Sequence, residues 1–264
     1  MKETVLITGA SSGIGLELAR LFAKDGYRLV IVARSEQDLT NTATTFSSEY
    51  GVEVTPISKD LFNPEAAFEL YEELKAKGIT VDILVNNAGQ GVYGEFVETD
   101  IRRQLDVIQL NVSSLVALTY LWLKDMLARG SGRILNVSSI ASKAPGPWNS
   151  VYHGTKAFVQ SFTEAIRSEV KDKGIVVTAL LPGVTDTDFF NKADMNESKM
   201  VQDKDAMSDP AAVAKDGYDA LMRGDDKVIS GLKNKVQVSM LNMTPDALAA
   251  DQMNKMQEPV EKDK

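Results

Sequence analysis

The chain has 264 residues, 44% of them hydrophobic, enough apolar material for one large core or two small ones. Lys and Arg total 29 against 37 Asp and Glu, a net charge of −8, which argues against a nucleic-acid backbone or an anionic membrane surface as partner. No cysteine is present and His153 is the single histidine, so thiolate and multi-histidine metal sites, cysteine nucleophiles and most serine–histidine hydrolase schemes are excluded, and no metal is expected.

From the N-terminus, Met1-Lys2-Glu3 runs directly into a predicted strand over Val5–Thr8, with no signal-peptide pattern. No run approaches the roughly 18 uninterrupted apolar residues of a membrane helix. The expectation is a soluble, cytoplasmic protein. The first strand turns into a predicted helix over Ile14–Lys24 through Thr8-Gly9-Ala10-Ser11-Ser12-Gly13-Ile14-Gly15. Glycines at that place permit a tight turn and close approach of a diphosphate, and the helix N-terminus offers amide donors. By itself the turn is equally a packing device.

Further strands are predicted over Arg28–Val32, Glu53–Ile57, Ile83–Asn86, Gly132–Val137, Val176–Leu181 and Lys227–Ser230. Amphipathic helices are predicted between them, over Glu36–Ser48, Pro64–Lys77, Ile101–Arg129, Ser150–Lys171 and Pro210–Met222. Asn63-Pro64 and Asp209-Pro210 carry the N-cap and first-turn signature of helix starts. The alternation indicates βαβ units: one Rossmann-type, doubly wound α/β domain, a parallel sheet of about seven strands with helices on both faces. The domain is assigned to residues 1–230, with 231–264 as a tail that is partly packed and frayed at its charged end. Packing is the preferred reading of Met240, Met243, Met253 and Met256, over a subunit contact or a substrate entrance.

Tyr152 and Lys156 are four residues apart and share a helix face, where an ammonium can favour a phenolate over the free tyrosine pKa of about 10. Alone, such a pair reads as a solvated neighbour contact. Its setting changes that. The TGxxxGIG turn, Asp60-Leu61 after the third strand, Asn86-Asn87-Ala88-Gly89 after the fourth, Asn111, Ser138-Ser139 after the fifth, Tyr152 with Lys156, and Pro182-Gly183-Val184-Thr185-Asp186-Thr187 occur in that order over residues 4–187. In these motifs the chain resembles the classical short-chain dehydrogenases/reductases.

The resemblance implies hydride transfer between a nicotinamide and a carbonyl or alcohol carbon, with no metal. It implies a catalytic set of Asn111, Ser139, Tyr152 and Lys156. Tyr152 is the general acid/base and Ser139 orients the substrate oxygen. Lys156 lowers the tyrosine pKa and holds the ribose, and Asn111 holds a relay water. The implied cofactor contacts are Gly9, Ser11, Ser12, Gly13, Ile14, Arg34, Asp60, Leu61, Asn87, Ala88, Gly89, Tyr152, Lys156, Pro182, Gly183, Val184, Thr185 and Thr187. Arg34 stands where an NAD enzyme would carry an acidic residue, and its guanidinium suits a 2′-phosphate; NADP(H) is expected over NAD(H). His153 is expected to be a partly exposed bystander.

The family's substrate lid falls at about residues 184–207, with Phe189, Phe190, Met195 and Met200 as candidate walls. Gln90–Tyr93 with Phe96, and Pro145–Trp148, are placed opposite and at the rim. These favour an apolar ketone or aldehyde slightly over a sugar. Val228–Asn234 departs from the VDGG-type segment of ketoacyl reductases and lowers that reading. Sugar-nucleotide epimerisation is disfavoured by length and glycine spacing. A non-catalytic NADP-binding scaffold stays open against the enzyme. A homodimer or homotetramer through the two long helices is expected, with Leu115–Leu127 suiting either a subunit face or the chain's own core.

Overall fold

In the computed structural model, which describes residues 2–203 and 206–260, the seven predicted strands form one parallel sheet. They are β1 (Thr4–Thr8), β2 (Arg28–Ala33), β3 (Val54–Ser58), β4 (Ile83–Asn86), β5 (Gly132–Val137), β6 (Ile175–Leu181) and β7 (Lys227–Ile229). Their order is β3-β2-β1-β4-β5-β6-β7, so the winding reverses between β1 and β4 and opens a crevice at their carboxyl ends. The central strands are near-continuous Val/Ile/Leu runs because helices cover both faces. Pro56 is tolerated in β3 because that strand is an edge.

One face carries α1 (Gly13–Lys24), α2 (Glu36–Tyr50) and α8 (Pro210–Arg223), which bury Leu18, Phe22, Phe46 and Leu221 against the sheet. The other carries α3 (Ala66–Ala76), α4 (Ile101–Ile108), α5 (Leu115–Arg129) and α6 (Ser150–Val170). Leu70, Leu118, Trp122 and Met126 fill the space beneath them. The run Ile101–Arg129 has the length and mean hydropathy, 1.3 over its most apolar window, of a membrane span. Yet Leu115, Leu118, Trp122, Leu123 and Met126 lie in the core, so Leu115–Leu127 is chiefly the chain's own packing face.

Two helix starts behave differently. Asp209 caps α8, accepting from Ala211 N at 3.1 Å with Pro210 in the first turn. Asn63 instead accepts from Glu65 N at 3.1 Å, closing a turn that delays α3 to Ala66. The predicted helix over 101–129 is also not α-helical throughout. At Gln109–Ser114 it widens into a π-turn, where side chains are tied outside the helix.

Beyond β6 come a short helix α7 (Phe189–Lys192), α8 and β7, and then the tail folds as α9 (Leu232–Leu241) and α10 (Asp246–Gln257). Through Val260 the chain end is tied down, and the fraying expected of the final charged residues falls on residues outside those described. Glu258 pairs with Lys199 at 2.6 Å, Ser198 and Pro259 form an antiparallel bridge, and Val260 N donates to Glu197 O at 2.8 Å. Residues 261–264 lie outside the described residues.

Candidate active site

A cavity of about 810 Å³ opens at the carboxyl ends of the central strands, a size typical of small-molecule sites. Its inner wall is backbone. Gly9 and Gly13 adopt φ of 67° and 54°, where a side chain is strained. A Cβ on Gly15 would collide with the Gly9 carbonyl and the Asn87 amide. Asn87 locks the turn by donating Nδ2 to Thr8 O (2.9 Å) and Gly9 O (3.1 Å). Ser12, at the N-cap of α1, does not turn its hydroxyl back on the helix. Such an uncovered helix start beneath a glycine cradle fits the diphosphate of a dinucleotide.

On the far side of the sheet reversal, α6 presents Tyr152 and Lys156 to Ser139 at the end of β5. Lys156 Nζ donates to Val137 O at 2.8 Å and lies 5.7 Å from the centre of the Tyr152 ring. Ser138 Oγ donates to the Lys156 carbonyl at 2.8 Å, fastening β5 to α6. Burial pushes the Tyr152 phenol up to about 12, opposed by a hydrogen bond with Ser139, and burial pulls the Lys156 ammonium down to about 8. In the protein alone, burial therefore outweighs the lowering expected of Lys156. The phenol is protonated at neutral pH.

Asn111 sits in the π-turn, one layer behind. Its Oδ1 accepts from Gln90 N (2.9 Å), and its Nδ2 donates to Gln90 O (2.9 Å) and Thr155 Oγ1 (3.0 Å). It does not line the cavity, but a Cβ on Gly89 would stand 3.3 Å from both Asn111 Oδ1 and Lys156 Nζ. Every other residue of the expected catalytic and cofactor sets does line it. Arg34 is exposed at the rim with its guanidinium 5.2 Å over the Phe62 ring, and among the described residues it has no ion-pair partner. Asp60 accepts from Phe62 N at 3.2 Å, while the carbonyl of buried Leu61 takes the Ser114 hydroxyl at 2.7 Å. Thr187 packs across Gly13.

The substrate side is built from the lid and the tail. Ala193, Met195 and Val201 form a small separate core joined by Tyr93, Phe189, Phe190 and Met200. The Phe189 ring lies 5.1 Å from that of Tyr152, so the predicted apolar wall is present. Gln90 lines the cavity, but Phe96 is 53% exposed and does not. None of Pro145–Trp148, expected at the rim, lines the cavity; Trp148 instead donates to Asn254 of α10 at 2.7 Å.

For the tail methionines the sequence reading ranked packing ahead of a substrate entrance, and two of the four stand at the cavity. Leu241, Met253 and Met256 line the cavity, whereas Met240 and Met243 are exposed. His153 is a correction: it is buried rather than partly exposed. Its Nδ1 meets Ala144 O at 2.8 Å and its Nε2 meets Gln257 Nε2 at 3.0 Å. Asn149, also unanticipated, is buried beside Tyr152. Its place three residues before the tyrosine was the available signal.

The chain is similar to known proteins. A ketoacyl reductase, HetN, of Nostoc sp. (strain PCC 7120) is 30% identical over 244 residues, 92% of this chain and 79% of the relative. A very-long-chain 3-oxoacyl-CoA reductase of Anas platyrhynchos is 36% identical over 183 residues, 67% of this chain and 58% of the relative. The solved short-chain dehydrogenase of Sphingobium yanoikuyae in complex with NADPH superposes with a TM-score of 0.83 at 29% identity, covering 99% of both chains. A sequence model of the short chain dehydrogenases matches residues 3–198, the span that carries the glycine turn, Ser139 and the Tyr152–Lys156 pair. By that match and that geometry, the chain belongs to the short-chain dehydrogenase family of oxidoreductases.

Proposed function

We propose that the protein is an NADP(H)-dependent oxidoreductase that interconverts a carbonyl and a secondary alcohol. The observation that carries this is the meeting of Ser139, Tyr152 and Lys156 over the crevice where β1 and β4 diverge, beside an open glycine cradle. When bound, the nicotinamide supplies or takes the hydride. Tyr152 gives the proton to the developing alkoxide in reduction, a stronger base than the phenolate even with the phenol near 12. Ser139 holds the substrate oxygen and stabilises charge as it develops. Lys156 holds the ribose hydroxyls, and its charge favours the phenolate left after transfer. Asn111 positions a water behind Lys156 through which the proton is replaced.

Arg34 supports NADP(H) over NAD(H). No acidic residue ends β2, and the guanidinium is stacked on Phe62 with its donors unpaired by carboxylates among the described residues. The NADPH held by the Sphingobium relative points the same way. The wall of Phe189, Phe190 and Met195 favours an apolar ketone or aldehyde. A second reading, reduction of a 3-ketoacyl thioester, is favoured by the names of two relatives and by the apolar Leu241, Met253 and Met256 surface, which would take an acyl chain.

NADPH oxidation across ketones, aldehydes, quinones and β-ketoacyl thioesters, with Tyr152→Phe as control, tests the proposal. Turnover should fall by ~10²–10⁴ in that variant while NADPH still binds. NADPH binding with no turnover on any carbonyl would leave a scaffold rather than an enzyme. We also propose a homodimer or homotetramer. Ile101, Leu105 and Phe158 are 55%, 56% and 44% exposed on α4 and α6, two helices in contact. Light scattering that finds only monomer would overturn it.

A further inference from the structure

Asn149 occupies the N-cap of α6, where an asparagine ordinarily accepts a hydrogen bond from an amide of the first turn. Here it makes no such bond. The side chain is only 3% exposed, and its Nδ2 points at the Met195 sulfur, 4.0 Å away. This orientation leaves Oδ1 buried without a partner. The oxygen lies over Gly91, where an added Cβ would stand 3.3 Å from Asn149 Oδ1 and 3.5 Å from Cδ2 of Tyr152. Asn149, Tyr152 and Phe189 all line the cavity. A buried acceptor beside the proton donor, on a helix start that has given up its own capping bond, is an unfilled place for a donor.

We propose that Asn149 determines substrate specificity by accepting a hydrogen bond from a hydroxyl near the reacting carbonyl. The preferred substrates are then hydroxylated ketones or aldehydes, held between the Phe189 wall and this one acceptor. A mainly apolar site with a single placed polar group orients its ligand in this way. The discrimination comes from satisfying that oxygen. A ketone without the hydroxyl leaves the already buried Oδ1 as unpaired as before, whereas a hydroxylated substrate supplies the donor that Oδ1 lacks. The inference rests on the oxidoreductase reading and adds its substrate class.

The test compares kcat/KM for NADPH-dependent reduction of hydroxyacetone against acetone, and of α-hydroxyacetophenone against acetophenone, with a β-hydroxy ketone alongside. In the wild-type enzyme a hydroxylated member should be favoured by ~10–10² -fold, carried mostly by KM. Asn149→Leu, which keeps the volume and removes the acceptor, should bring the ratio close to one. Asn149→Asp, which keeps an oxygen there, should retain the preference. Ratios near one in the wild type, or a preference unmoved in Asn149→Leu, would overturn the assignment and leave the oxidoreductase intact. No NADPH oxidation with any ketone would instead remove the oxidoreductase reading and this one with it. The wild-type comparison needs no variant, so a poorly folding Asn149→Leu does not shield the proposal.

Discussion

On the nucleotide side the cavity wall is main chain: Gly9 and Gly13 in left-handed conformations, Gly15 under the Gly9 carbonyl, and Asn87 bonded to two carbonyl oxygens. On the substrate side the wall is side chain: Phe189, Phe190, Met195, Leu241, Met253 and Met256, drawn from the lid and the tail. The first leaves no room for a Cβ at any of the three glycines. The second packs flexible methionines and two phenylalanines around a space they can reshape. A fold that keeps one cofactor and varies its substrate needs this division. The two walls should therefore answer mutation very differently.

The largest effect is expected from Gly15→Ala. Its Cβ meets a carbonyl oxygen and the Asn87 amide, neither of which is the loose end of a side chain. Overpacking of this kind costs about 1–3 kcal/mol, and the turn must open to relieve it. Fluorescence titration should show NADPH affinity down by at least ~10-fold, with a lowered Tm. The matching change on the other wall, Met256→Leu, conserves volume at a 43% exposed position. It should stay within about 1.5 kcal/mol and move KM for the carbonyl without moving NADPH affinity. Equal effects from the two would erase the distinction.

Arg34 sits where the nucleotide wall ceases to be backbone, so it should alter selectivity rather than binding as a whole. Arg34→Ala should reduce the preference for NADPH over NADH by ~10–10² -fold, the range for losing a charge-assisted hydrogen bond. NADH affinity should hardly change. A preference unaltered by the substitution would return Arg34 to the status of a surface charge stacked on Phe62.

The same division governs what could be read from the sequence. The glycine turn, the Asn86–Gly89 segment and the Tyr152–Lys156 pair are local patterns whose spacing reports backbone geometry. The five inner strands were legible as largely buried apolar runs, and the two edge strands, β3 and β7, as short β-branched runs that are more exposed. The π-turn at Gln109–Ser114 was not, because it follows from tethers to Gln90, Thr155 and Leu61 in other parts of the chain. The tail was least legible. Its bonds join Tyr93 OH to Gln257 O (2.6 Å), Trp148 to Asn254, Ser198 to Gln257 and His153 to Gln257, pairs 59 to 164 residues apart. Composition near residues 231–264 shows methionines among polar residues and carries no mark of those partners.

The link from His153 to Gln257 allows the gentlest test, because it joins the tail to α6 through one ring. Ala144 O can only accept, so Nδ1 must carry the proton, and Nε2 is left to accept from the Gln257 amide. The Nδ1 bond survives protonation, but the Nε2 bond needs the neutral ring. An imidazolium would turn Nε2–H against the amide hydrogens, and burial lowers the pKa from 6.5. Since the folded value lies below the unfolded one, the unfolded chain takes up the proton first on acidification. The ring's contribution to stability is thus complete above about pH 6.5 and declines as pH falls below it. Thermal melts between neutral and mildly acidic pH should fall more steeply for wild type than for His153→Leu, which has nothing there to titrate. Gln257→Leu should cost about 1 kcal/mol at neutral pH, as for one hydrogen bond, and raise KM by loosening α10 from the cavity. The proton-transfer step should be untouched, since Tyr152, Ser139 and Lys156 stay tied to β5 and α6 rather than to the tail. A Gln257→Leu enzyme that lost NADPH affinity instead would show that the tail braces the nucleotide wall too, and the two sides would no longer be separable.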